Sequence, residues 1–78
     1  MDNTEYHKLK NQILLEIYKG KGKTTARLLR RRHKMSIEKA KEVAERTPLM
    51  MWKRIVGPKG GRPTVIFWVQ ITEDYDPS

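Results

Sequence analysis

An α+β domain, three helices followed by a two-stranded antiparallel hairpin, is the fold this sequence predicts, on three observations. Apolar residues recur at helical spacing as far as Pro48. Only about three residues, His33 to Met35, separate the second helical segment from the third. After Pro48, two stretches rich in aromatic and β-branched residues flank a loop of glycine, proline and basic residues. A chain of 78 residues has room for one core, and its 37% hydrophobic content leaves a thin margin that a dimer interface would widen.

Helix one is expected over residues 4–19, with Asn3 or Thr4 as its cap and Glu5 placed well against the helix dipole. Tyr6, Leu9, Ile13 and Ile17 fall on one stripe that faces the core, with Leu14 beside it. Leu15 points away, next to Asn11 and Tyr18, which suits either plain solvent exposure or a dimer contact. Gly20 to Lys23 then forms a turn, and Thr24 or Thr25 caps a second helix that runs to about His33. Ala26, Leu28 and Leu29 must supply its burial, while Arg27, Arg30, Arg31 and Arg32 point largely to solvent.

Ser36 is the next capping residue, and helix three follows from Ile37 to about Arg46, with Ile37, Ala40, Val43 and Ala44 inward. Pro48 ends it. The two strands are expected over residues 49–56 and 64–72. In the second, Val65, Phe67, Val69 and Ile71 share one face, leaving Ile66, Trp68 and Gln70 on the other. Trp52 and Trp68 are within reach of each other across such a hairpin. The domain therefore spans residues 1–72, and residues 73–78 read as an acidic, flexible tail.

Charge narrows the function. Lys and Arg number 17 against 9 acids, a net +8, and Glu73, Asp74 and Asp76 all sit in the tail, so residues 1–72 carry +11. From Lys19 to Lys34 there are eight cations and no acid. Such an excess attracts polyanions, because each cation placed on a phosphate releases condensed counterions. Nucleic acid leads as the partner; an anionic membrane surface, or a basic protein that is merely soluble, are the alternatives. The absence of cysteine excludes disulfide and thiolate chemistry and points to a reducing interior, the cytoplasm or nucleoid. Residues 1–10 have no apolar run of signal-peptide or membrane-spanning length, so no membrane partner is expected.

Three helices, a tight turn between the second and third, and a hairpin with the loop stretch Gly60-Gly61-Arg62-Pro63 together resemble the winged helix-turn-helix DNA-binding superfamily over residues 4–72. The loop is similar to wings of phage and plasmid replication proteins and of small transcription factors. The resemblance implies a third helix in the major groove and a wing on the backbone or minor groove. Gly57, Gly60 and Gly61 would let the wing backbone approach DNA, with Arg62 entering a narrow minor groove and Lys59 reaching a phosphate. Arg27, Arg30, Arg31, Arg32 and Lys34 lie where a winged helix often meets the phosphate backbone, and a guanidinium fork engages two phosphate oxygens at once.

Helix three departs from a basic recognition helix. Its most exposed face carries Glu38, Glu42 and Glu45, with Lys39, Lys41 and Arg46 at the flanks. Any base reading then falls to Ser36, Lys39, Glu42 and Arg46 and to Arg62 in the minor groove, with Glu38 or Glu42 accepting from a cytosine amino group and the flanking cations on phosphates. The same acidic face would equally suit a protein partner.

Catalytic and cofactor signals are thin. Gly20-Lys21-Gly22-Lys23-Thr24 superficially resembles a phosphate-binding loop, but Ile17 stands where that motif needs glycine, and a helix precedes it rather than a strand. His7 and His33 without cysteine do not make a zinc set. No enzyme, cofactor or metal is expected. The expected function is double-stranded DNA binding, as a small transcription regulator or a replication or recombination accessory module. A protein-interaction winged helix that uses the acidic face of helix three with an exposed Trp68 or Trp52 is the main alternative, and a homodimer or another protein partner is left open. RNA binding through exposed tryptophans is a further one.

Overall fold

The computed structural model describes residues 1–57, 61 and 63–70. Among them run α1 (Asn3–Lys19), β1 (Lys23–Thr25), α2 (Ala26–His33), α3 (Ile37–Arg46), β2 (Met50–Ile55) and β3 (Thr64–Val69). Each helix begins at an oxygen-bearing side chain that satisfies an otherwise unpaired N–H of the first turn. Thr25 accepts from the Leu28 N–H at 3.1 Å, and Ser36 from the Lys39 N–H at 3.2 Å. For α1 the cap is Asp2, one residue before the two expected, and its carboxylate accepts from the Glu5 N–H at 2.7 Å. A carboxylate is the stronger acceptor at the positive end of a helix dipole.

The sheet corrects the expectation of a two-stranded hairpin: it has three antiparallel strands in the order β1-β3-β2. Thr24, between the expected turn and the start of helix two, pairs with Phe67, flanked by Lys23 with Trp68 and Thr25 with Ile66. Three residues are too few to show an alternating pattern in sequence, and their partners lie at the far end of the chain. The return of the chain into β1 depends on Gly20. A Cβ at that position would stand 2.1 Å from the Lys23 carbonyl oxygen. Gly22, at φ +115°, then takes a backbone conformation that side chains disfavour.

The helices pack against one face of the sheet. Ile13, Leu29, Val43 and Phe67 are fully buried, joined by Leu9, Ile17 and Ala40 among others. Two side chains depart from the expected pattern. Ile37, at the first position of α3, is 37% exposed, while Met35 of the preceding turn is buried. Lys34 makes this possible by turning left-handed at φ 54°, which reverses the chain after α2 and carries Met35 under it. Leu14 also lies at the surface, beside Leu15 and Tyr18.

In β3 the alternation holds: Val65 and Phe67 are buried on the helix side, and Gln70 is exposed. The two tryptophans do not meet. Trp52 pairs with Phe67 and so shares the core face, whereas Trp68 pairs with Met51 on the opposite face. Ile71, Thr72 and the expected tail at 73–78, like Lys59 and Arg62, lie outside the described residues. No helix among the described residues is long and apolar enough to cross a membrane.

Gly20→Ala is expected to lower stability by about 1–3 kcal/mol, the usual cost of forcing atoms into a filled space. Urea unfolding followed by circular dichroism measures it; an unchanged midpoint would show that the β1 return does not need the glycine.

Candidate nucleic-acid interface

Helix α2 joins a small apolar face to a cationic one. Ala26 and Leu29 are buried and Leu28 half-buried, which turns Arg27, Arg30 and Arg31 to solvent, with Lys34 exposed at the helix end. Arg27 and Arg30, about one turn apart, line an open cleft of about 660 Å³. Its other walls are Ile37 at the start of α3 and Pro63, Thr64 and Val65 at the base of the loop between β2 and β3. The helix-turn-helix pair and the distant base of the β2–β3 loop thus converge on one concave surface whose charge comes from the two arginines. Lys59 and Arg62 fall outside the described residues; Pro63, the next residue after Arg62, borders the cleft.

Arg32 does not join this surface. Its Nη1 donates to both carboxylate oxygens of Glu16, at 3.1 and 3.3 Å, and His33 Nε2 stands 3.5 Å from the same group. Glu16 is 3% exposed, the one buried acid among the described residues. Burial pushes its carboxyl up, but the Arg32 hydrogen bond and charge, with Lys19 and His33, outweigh that and hold it below the usual carboxylate range. The pair locks the C-terminal end of α2 onto α1. Sequence reasoning left Glu16 out of the α1 stripe. The signal was there: Glu16 is the only acid between residues 6 and 37, three positions after Ile13 on the inward face.

The expected base-reading residues of α3 are distributed differently. The Ser36 hydroxyl caps the helix. Lys39 bonds to Glu5 of α1, whose hydrogen bond and charge raise the ammonium pKa above its ordinary value. The Arg46 guanidinium lies 4.7 Å from the Tyr6 ring centroid, and Lys41 covers Trp52 at the same distance. Each cation of α3 therefore touches α1 or β2. Outward, α3 presents Glu38, Glu42 and Glu45 beside Ile37, with Lys39 and Arg46 also exposed at the flanks. No three His, Cys, Asp or Glu side chains gather at metal-binding distance among the described residues.

Replacing Glu16 with Gln should cost about 1–3 kcal/mol at neutral pH, because the charged hydrogen bonds of Arg32 are lost. The folded-state pKa of Glu16 lies below its unfolded value, so the unfolded chain takes up this proton first as pH falls. The stability gap between wild type and Glu16→Gln should therefore be full at neutral pH and close below about pH 4. Urea midpoints across pH measure it, and a gap that persists at acid pH would show that packing, not charge, sets the effect.

Compared with known proteins, the chain matches no family model, no curated protein and no solved structure.

Proposed function

We propose that this chain is a winged-helix module that binds double-stranded DNA without catalysis, as a small transcription regulator or an accessory module in replication or recombination. The element order α1-β1-α2-α3-β2-β3 and the sheet order β1-β3-β2 support the reading. In it, α2 and α3 are the helix-turn-helix and the β2–β3 loop is the wing.

The observation that carries the proposal is the cleft in which Arg27 and Arg30 meet the base of that loop. A duplex backbone presents closely spaced phosphates along a groove edge, and two arginines one turn apart on one helix match that spacing, each guanidinium fork able to engage two phosphate oxygens. Arg31 and Lys34 extend the cationic edge; Lys59 and Arg62, which the winged-helix resemblance assigns to the wing, lie outside the described residues. Most of the affinity in this reading comes from phosphates. Glu42 and Ser36 supply base discrimination, and Lys39 and Arg46, exposed beside Glu5 and Tyr6, contribute from the flanks.

A second reading, docking of a basic protein segment on α3, is favoured by the exposed Glu38, Glu42 and Glu45 beside Ile37. Titration of labelled duplex DNA at several salt concentrations separates the two. DNA binding predicts a steep fall with salt. Arg27→Ala with Arg30→Ala should weaken binding and reduce the log–log salt slope by about 2, one for each phosphate that is no longer neutralised. Affinity no higher than that of a generic polycation, unchanged in the double variant, would overturn the DNA reading and leave α3 as the functional face.

A further inference from the structure

We propose that the outer face of the sheet is a second binding site, a stacking platform for unpaired bases of single-stranded nucleic acid, centred on Trp68. The site goes beyond the duplex reading and does not rest on it.

Its geometry follows from the sheet register. Val65 and Phe67 are buried on the helix side, so Thr64, Ile66 and Trp68 turn to the opposite face. Across the strands, Lys23, Trp68 and Met51 form one row, and Thr25, Ile66 and Lys53 the next. None of these residues is acidic. Trp68 and Ile66 are only half-buried, and with Lys21, Gly22 and Lys23 they line a shallow concavity of about 400 Å³. Lys21 sits at φ 60° in the tight turn that leads into β1, so its amine is offered from a constrained backbone rather than from a loose loop.

The chemistry of this face selects its ligand. An indole partly exposed on the outer face of a sheet can stack with any base, an interaction worth about 1–3 kcal/mol. The lysines at 21, 23 and 53 supply charge for the backbone that carries the base. In a duplex the bases are already stacked and paired, so duplex DNA offers this surface only phosphates. The α2 cleft has the opposite character, with arginines and no exposed aromatic ring among its lining residues. The two surfaces therefore divide paired from unpaired strands. Trp52 takes no part, because it lies on the core face under Lys41.

The test uses the full chain and two labelled probes of about ten nucleotides, oligodeoxythymidylate and oligouridylate, beside the duplex. Trp68→Ala should weaken single-strand binding about tenfold or more, while duplex affinity stays within about twofold, as expected where only phosphates are touched. Arg27→Ala with Arg30→Ala should do the reverse. In Trp52→Phe, where Trp68 is the one remaining indole, a saturating oligonucleotide should quench the tryptophan fluorescence. This arm decides the matter even if Trp68→Ala fails to fold. A preference for either probe supports the platform and assigns its strand type. Unquenched Trp68 at saturation, wild-type oligonucleotide affinity in a folded Trp68→Ala, or binding to phosphatidylglycerol vesicles but to neither probe would overturn the proposal. Loss of duplex binding alone would overturn the duplex reading and leave this site standing.

Discussion

The pairing of Lys23–Thr25 with Ile66–Trp68 is the constraint on which the rest of the molecule depends. It makes β3 a central strand, with β1 on one side and β2 on the other, and so ties the segment before α2 to the last strand described. Phe67 sits at the middle of that strand, fully buried beneath the helices, opposite Thr24 and Trp52. A two-stranded hairpin is marginal by itself, and a third strand with a helix-covered face makes it part of a core. Gly20 is the local condition for this arrangement, since any side chain there would collide with the backbone of Lys23.

Because β1 runs directly into α2, the register that places Thr25 opposite Ile66 also places the first turn of α2 against β3. Arg27 and Arg30 are carried by this to the cleft beside Pro63 and Thr64. The other end of α2 is held by Glu16, which draws Arg32 and His33 toward α1. One helix thus has its cations divided by packing: Arg32 serves the fold, and Arg27, Arg30 and Arg31 remain at the surface. A buried carboxylate is costly to keep charged, so its partner is effectively committed. The exposed pair of Lys39 with Glu5 is of another kind, since both side chains stay open to water and salt.

Net charge is a poor guide to where free cationic surface lies on this molecule. The chain is +8 as a whole, yet the outward face of α3 is acidic and the three cations of that helix lie against a carboxylate or an aromatic ring. Among the described residues, exposed cations that make no such contact come instead from α2 and from the outer face of the sheet. These two regions differ in aromatic content, Trp68 lining one and no aromatic ring lining the other, and that difference, rather than charge, is the basis for proposing different strands for them.

Much of the molecule was legible from sequence. The spacing of Leu9, Ile13 and Ile17, the capping residues Thr25 and Ser36, the stop at Pro48 and the alternation of Val65 with Phe67 are local signals, written in residues within a turn or two of each other. They determined three helices, two of the strands and the cationic character of α2. What only the tertiary structure decided are the matters set by distant partners. These are a third strand too short to show a pattern, the split of Trp52 and Trp68 onto opposite faces by register, the burial of Glu16, and the capture of Lys39 and Arg46 by Glu5 and Tyr6. Periodicity tells which way a side chain points from its own element. It does not tell which element will be there to meet it.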